Sequence, residues 1–517
     1  MKTILVILII LGINYGCSLS SQEIKQKNLI SRLEDAENSQ NLSEIKLIFD
    51  ENAIIYTTEL MPIKGHKAIA SCYDFVFLRN DLENVKYRVD TIKEIENYYY
   101  EFGNITTRKV KQEDTIQTFE AKFEKHENDY KIVTISFGDE KLLKKELPKM
   151  LQPTGEYNIG RQGFFFEKDK TDNGRIISFD VWYPTNYESK DKQPFRTENV
   201  ISAASSFMGI PTFMISYFSE IESNTILEAP PIRYNTFPVL IYNHGYGGFT
   251  EVYQTVFEDL VSNGYIVVSI GHENESALLI KENGDVIRTS PDNDFFTKRA
   301  PELEGQEIGK WQSIILYSDS IDENDNAYKK MLKLTPLHNE STKLWASDTK
   351  AVLEKLELIN NDGKKNLNGI FDLDKIGIFG HSLGGATAGQ MCFGDTKIKA
   401  GINLDGFQFG DLNNNKLKVP FMFVSSNEEN GRYLRALTYL NKANDDCYEV
   451  VCKGFSHDSF TDLNYILGGD SIAFEIQRTV VKSFFDKYLK NSNIDMSEIE
   501  SKYPIVKIRK KKKDSKM

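Results

Sequence analysis

The chain has 517 residues, of which 40% are hydrophobic and 12% aromatic. That content is well above the level that leaves a chain disordered, and the length suits two domains rather than one. A formal net charge of −12, from 63 basic and 75 acidic residues, excludes a general nucleic-acid or polyanion binder.

The N-terminus reads as a targeting segment. Lys2 precedes an apolar run from Ile4 to Ile13, and small and polar residues follow. This is the plan of a signal peptide, and the run is too short for a stable membrane span. Gly16-Cys17 closes it and resembles a bacterial lipoprotein cleavage site, although Asn14 stands where an aliphatic residue is usual. The resemblance implies a leader over residues 1–17 and lipidation of Cys17. The mature chain would then associate with the membrane at the periplasmic or outer face of the cell envelope; without the lipid it would be secreted.

Residues 20–147 form the first predicted domain. A charged, helical start from Ser31 to Phe49 precedes alternating strands at Val85–Val89, Ile105–Val110, Thr115–Phe123 and Tyr130–Phe137. Helices first and a curved antiparallel sheet after, with the turn Met61-Pro62-Ile63-Lys64-Gly65 inside Tyr56–Ala70, resemble the NTF2-like or SnoaL-like α+β cone. His66 and His126 sit in no recognisable constellation, so the expected role is that of an accessory domain. The stretch Lys145–Gly155, with Pro148 and Pro153, reads as the linker.

Between residues 155 and 490 the pattern becomes that of an α/β domain with a mostly parallel sheet. Short apolar runs at Phe237–Tyr242, Tyr265–Ile270, Ile376–Phe379, Ala400–Leu404, Pro420–Val424 and Tyr448–Val451 alternate with helical stretches. An amphipathic helix is predicted from about Thr342 to Ile359. Two long segments, Asn186–Asn235 and Ser276–Glu340, read as irregular lid insertions. The acidic run Asp322–Asn326 lacks the glycine and closing glutamate of a calcium loop and reads as a solvated loop. Residues 491–517 read as a tail whose basic run, Arg509–Lys513, is solvated. Besides Cys17 the cysteines are Cys72, Cys392, Cys447 and Cys452. They are too sparse for a disulfide scaffold, and the odd spacing of Cys447 and Cys452 puts them on opposite faces of one strand.

The strongest chemical signal is Ile376-Gly377-Ile378-Phe379-Gly380-His381-Ser382-Leu383-Gly384-Gly385. It holds G-x-S-x-G after a buried-strand pattern and before a helix, the context of a nucleophile elbow. Ser382 is therefore the candidate nucleophile. Six of the seven histidines precede it, so His457, in the segment Phe455-Ser456-His457-Asp458, is the candidate general base. The acid is Asp405, in Leu404-Asp405-Gly406, or a residue one strand later, in Ser425-Ser426-Asn427-Glu428-Glu429, with Glu428 the alternative. The backbone amide of Leu383 and one from Asn243-His244-Gly245-Tyr246-Gly247-Gly248, for which Tyr246 is the candidate, would form the oxyanion hole. His244 reads as a brace within that loop, and His272 as a pocket-lining or structural residue. No metal or cofactor is expected, since neither paired C-x-x-C nor H-E-x-x-H occurs.

Asn243-His244-Gly245, Gly380-His381-Ser382-Leu383-Gly384-Gly385, Leu404-Asp405-Gly406 and Ser456-His457 together resemble the platelet-activating-factor acetylhydrolase family of the plasma or isoform II type. Val181-Trp182-Tyr183-Pro184 and Phe371-Asp372-Leu373-Asp374-Lys375-Ile376 add to the likeness, which runs from about residue 155 to 490. It implies an α/β-hydrolase fold, Asp405 as the acid, and a small-molecule ester or lipid substrate with a short or oxidised acyl chain. Leu383 departs from the family, where an aromatic residue is frequent. The rival readings are another acyl hydrolase (dienelactone, polyester or carbohydrate esterase, or peptidase) and a catalytically inactive binding module of the envelope.

Overall fold

A computed structural model describes residues 21–57, 60–79, 82–95, 98–109, 114–126, 129–138, 147–168, 174–318, 320–395, 397–411, 415–427, 443, 446–462 and 471–510. Cys17, the leader and Glu428 lie outside these residues. The chain forms two compact units. The smaller takes Met1–Leu147 with Pro211–Tyr217, and the larger takes Pro148–Ile210 with Phe218–Met517.

The smaller unit is α+β, as its order of elements predicts. Helices α1 (Ser21–Asn38) and α2 (Leu42–Ile48) are followed by β1 (Phe49–Thr57), β2 (Ile63–Lys64), α3 (His66–Arg79), β3 (Leu82–Ile95), β4 (Tyr98–Lys109), β5 (Thr115–His126) and β6 (Asp129–Phe137). The charged start is thus two helices, broken at residues 39–41, where Asn41 caps α2 by accepting from the Glu44 N–H. One six-stranded sheet runs β2-β1-β6-β5-β4-β3, and β1 pairs with β6 in parallel. Register shifts interrupt the pairing of β1 with β6, of β3 with β4 and of β5 with β6, and α1 and α3 pack against this sheet. The segment Pro211–Tyr217 belongs to this unit because Phe213 joins its apolar core and meets the Phe75 ring at 6.0 Å. An aromatic 58 residues past the linker carries no periodic signal of its own, so the sequence places it with the second domain.

The larger unit carries a ten-stranded sheet. Its elements begin with β7 (Asn158–Glu167), β8 (Ile176–Thr185), α4 (Glu198–Met208), β9 (Thr225–Leu227), β10 (Phe237–Asn243), α5 (Gln254–Ser262) and β11 (Ile266–His272). The second insertion holds β12 (Leu278–Ile280), β13 (Val286–Arg288), α6 (Asp294–Arg299), α7 (Gln306–Tyr317) and α8 (Ile321–Leu334). Then come α9 (Pro336–Asn361), β14 (Phe371–His381), α10 (Leu383–Gly394), β15 (Ile398–Leu404), β16 (Phe421–Ser425), β17 (Cys447–Cys452), α11 (Ser471–Leu489), α12 (Glu498–Lys502) and β18 (Val506–Lys510).

The sheet order is β18-β17-β16-β15-β14-β10-β11-β8-β7-β9. The six strands from β17 to β11 are parallel, and antiparallel β18 and β8 flank them. This is the mostly parallel α/β architecture that the apolar runs predict. Central strands such as β10 and β11 are buried at every position, as a sheet covered on both faces requires. Cys447 packs into the core on one face and Cys452 into the core on the other.

Three expectations need correction. The acidic run Asp322–Asn326 is the first turn of α8, not a loop; the Ser320 side chain accepts from the Glu323 N–H, and the acidic residues lie where the helix dipole favours them. The insertion Ser276–Glu340 is regular rather than irregular, since a hairpin and three helices fill it. The basic tail does not begin as a solvated end. Arg509 and Lys510 lie in edge strand β18, paired to Glu449 at 3.0 Å and Asp446 at 3.0 Å. The alternation Val506-Lys507-Ile508-Arg509 suits an edge strand, whose exposed side carries charge.

Candidate active site

Ser382 stands between the last residue of β14 and the first of α10, with φ 55° and ψ −119°. A side-chain-bearing residue pays strain in that region, so the surroundings must hold it there. They do so through the backbone. The Ser382 N–H donates to Leu404 O at 2.8 Å, and Ser382 O accepts from Gly385 N at 3.0 Å and Ala386 N at 3.2 Å. The turn closes only because its flanks lack side chains. A Cβ on Gly380 would lie 2.3 Å from the Gly384 carbonyl, and one on Gly384 would lie 2.0 Å from Asn243 O.

Asp405 follows β15 and also has a positive φ, 53°. Its N–H donates to Val424 O at 2.7 Å, which locks the strand end. Its carboxylate then receives two donors: the Ser426 N–H on Oδ1 at 2.8 Å and His457 Nδ1 on Oδ2 at 2.8 Å. The Asp405 side chain is 1% exposed, whereas the imidazole of His457 is 47% exposed. Of the two alternatives for the acid, Asp405 is the one that stands against His457 among the described residues.

His457 opens a short turn, His457–Phe460, and the Ser456 N–H donates to Ser459 Oγ at 3.0 Å to hold its start. The turn is tied to the elbow by His381, whose Nε2–H donates to His457 O at 3.1 Å and whose ring centroid lies 4.5 Å from that of His457. Burial holds His381 well below its usual pKa, and the neighbouring imidazoles push in the same direction. It is therefore a neutral strut beside Ser382.

Across the site lies the loop after β10. A Cβ on Gly245 would sit 3.3 Å from the Ser382 Cβ, so the loop backbone lies directly against the serine. Gly247 N and Gly248 N donate to Glu275 O at 3.3 Å and Gly245 O at 2.9 Å, and no backbone carbonyl among the described residues accepts from Tyr246 N. The Leu383 N–H, first in α10, has no acceptor within its own helix. His244 braces this loop: Nδ1–H donates to Gly245 O at 2.6 Å, and Nε2 lies 2.7 Å from Ser276 Oγ. Burial, reinforced by His272, pushes its pKa down to about 3, so it is neutral. The Tyr246 ring packs on Phe295 and Phe296 of α6, which brings the second insertion to the rim of the site.

Two clusters behind this loop have no motif in the sequence. His272 lies 2.9 Å from Asp348 and 3.0 Å from the Asn243 side chain, beneath the loop and away from solvent, so it does not line a pocket. Arg196 donates to the Glu251 carbonyl at 2.6 Å and to Gln254 at 2.8 Å, and lies 3.5 Å from Asp462, five residues past His457. The one local signal is that His272 closes the apolar run Tyr265–Ile270; Arg196 lies in a polar stretch and carries none. Among the described residues, no group of three or more His, Cys, Asp or Glu side chains is arranged to hold a metal ion.

Residues 144–479 match the family described as platelet-activating factor acetylhydrolase, isoform II. The platelet-activating factor acetylhydrolase of Bos taurus is 23% identical over 379 residues, covering 66% of this chain and 77% of that protein. A ferulic acid esterase from Streptomyces cinnamoneus has a similar fold, with a TM-score of 0.54 and 17% identity, over 70% of this chain and 99% of that one. An NTF-2 like protein from Shewanella oneidensis MR-1 aligns over 23% of this chain and 99% of its own, at 16% identity and a TM-score of 0.21.

Proposed function

The chain belongs to the platelet-activating factor acetylhydrolase, isoform II, family of ester hydrolases, and on that premise we propose that it cleaves carboxylic esters through an acyl-enzyme on Ser382. The observation that carries this is the strained Ser382 with the Asp405–His457 pair tied against its elbow.

In the first step His457 Nε2 accepts the Ser382 hydroxyl proton as Oγ attacks the ester carbonyl carbon. Asp405 accepts the hydrogen bond from Nδ1, which fixes the tautomer with its lone pair at Nε2 and stabilises the imidazolium that forms. The oxyanion accepts hydrogen bonds from the amides of Leu383 and Tyr246. The imidazolium then gives its proton to the departing alkoxide oxygen, leaving the acyl group on Ser382. Water, deprotonated by the same imidazole, attacks that acyl group; the carboxylic acid leaves and the serine is restored.

The relatives are named for removal of an acetyl group, which supports a short acyl chain as substrate. The leader and Cys17 support an exported, lipid-anchored enzyme acting on lipid-like esters near a membrane. Metabolic labelling with a radioactive fatty acid, lost in Cys17→Ser, tests the anchor. Covalent labelling by a fluorophosphonate and hydrolysis of p-nitrophenyl acetate, both lost in Ser382→Ala, test the chemistry. Folded wild-type protein that neither labels nor hydrolyses would leave a binding module as the reading. A panel of acyl lipids, feruloyl esters and peptides then ranks the substrates.

A further inference from the structure

We infer that His272, held by Asp348, is a positioning residue for the oxyanion loop. Through the side-chain amide of Asn243 it sets the backbone that aims the Tyr246 N–H at the serine. The inference rests on the proposed role of Ser382 and its loop.

His272 ends β11, Asp348 lies on α9 and Asn243 ends β10. Nδ1 of His272 is 2.9 Å from Asp348 Oδ2, and Nε2 is 3.0 Å from Asn243 Oδ1. All three residues are 0% exposed. The ring is clamped flat on Trp345, with centroids 3.9 Å apart and an interplanar angle of 10°. Asp348 also accepts from Arg175 Nε at 2.9 Å and faces Lys168 Nζ at 3.6 Å. This is the bonding order of the Asp405–His457 pair, with an amide where that pair faces substrate.

The protons follow from the surroundings. Burial lowers the pKa of His272; Asp348 opposes this, and Arg175 and Lys168 add to it. The ring nitrogens meet Asp348 on one side and Oδ1 of Asn243 on the other, so an N–H at Nε2 donates to the amide oxygen. That oxygen can only accept, so the contact selects one orientation of the side chain. Thr349 Oγ1, 3.2 Å from the same amide, holds it from a second side. A side chain pinned on two sides fixes its own backbone. The Asn243 carbonyl is already in close approach to Gly384 of the elbow. Two residues on, the His244 bond to Gly245 O carries the same rigidity to the Tyr246 amide. Oxyanion donors act within a few tenths of an ångström, and they act on the transition state rather than on bound substrate.

The test separates the two halves of the imidazole. His272→Asn keeps a donor toward Asp348 but no longer reaches Asn243. His272→Gln places its side-chain NH2 near the position of Nε2 and keeps a donor for Asn243 Oδ1. With p-nitrophenyl acetate, His272→Asn is expected to lower kcat by about tenfold or more with KM changed by less than about twofold, and His272→Gln to restore most of the loss. An unchanged kcat in His272→Asn, equal losses in both variants, or a loss confined to KM would overturn the inference. If His272→Asn does not fold, Asn243→Ala, which leaves the Asp348–His272 pair intact, is read by the same split. Fluorophosphonate labelling of the wild type distinguishes the layers. A labelled wild type with an unimpaired His272→Asn rejects this role alone, whereas an unlabelled wild type rejects the nucleophile and this role with it.

Discussion

The larger unit contains two aspartate–histidine pairs of nearly the same geometry, Asp405–His457 at 2.8 Å and Asp348–His272 at 2.9 Å. They differ in what surrounds the imidazole. His457 sits on a loop past the sheet edge, half exposed, and its carboxylate partner is satisfied by the Ser426 amide. His272 sits at a strand end under Trp345 with no exposure, and its carboxylate partner also carries the ion pair with Arg175. The bond by itself therefore does not define a proton-transfer site. An imidazole that exchanges protons with substrate and water needs access, and a sealed one can only orient its neighbours. Burial alone would raise the Asp348 pKa, but His272 and Arg175 outweigh it and hold the carboxyl below its ordinary value.

The comparison is broken most directly by removing the exposed pair and its serine. Ser382→Ala and His457→Ala should each lower kcat by about 10⁴-fold or more, and Asp405→Asn by about 10³- to 10⁴-fold, with thermal melting little changed. A retained kcat in Asp405→Asn would move the acid elsewhere, Glu428 being the first candidate. The sealed pair should answer in stability as well, with a smaller effect on kcat. Asp348→Ala removes the carboxylate that Arg175 and Lys168 share in a dry site and leaves Arg175 with Glu275 at 3.7 Å, and should cost about 3–5 kcal/mol in urea unfolding. A cost under about 1 kcal/mol would mean that the ion pairs contribute little beyond their own desolvation.

What the sequence made legible divides along the same line. Ser382 was readable because an elbow is local: the strand, the glycines and the helix that strain it all lie within a dozen residues. His457 was readable by elimination from seven histidines. The parallel strands were readable because burial on both faces makes them continuous apolar runs. The His272–Asp348–Asn243 cluster was not, because its members lie 76 and 29 residues apart and meet only through the packing of α9 on the sheet. Phe213 in the smaller unit and the pairing of Arg509 with Glu449 in β18 were hidden for the same reason. Helix α8 was misread because Asp322, Glu323 and Asp325 look like a loop until Ser320 is recognised as their cap.

A third buried carboxylate, in the smaller unit, sharpens the comparison by having no cationic partner among the described residues. Glu37 on α1 accepts from the Tyr73 hydroxyl at 2.7 Å and the Tyr87 hydroxyl at 3.2 Å. Burial pushes its pKa up to about 7, against the pull of the two hydroxyls, whereas Asp348 beside an arginine stays low. The sign follows from proton uptake. The folded chain holds a proton on Glu37 that the unfolded chain, near its ordinary value of 4.5, has lost, so stability declines as pH rises from about 4.5 to about 7 and then levels off. Glu37→Gln keeps an acceptor for both tyrosines and removes the ionisation. It should therefore stabilise the smaller unit at pH 8 by at most about 3 kcal/mol and have little effect at pH 5. Hydrogen exchange of the amides in β3 to β6 of the full-length protein, at both pH values, reads this difference. Equal protection of the two proteins at pH 8 would show that two tyrosine hydroxyls stabilise a buried carboxylate as well as the cations around Asp348 do.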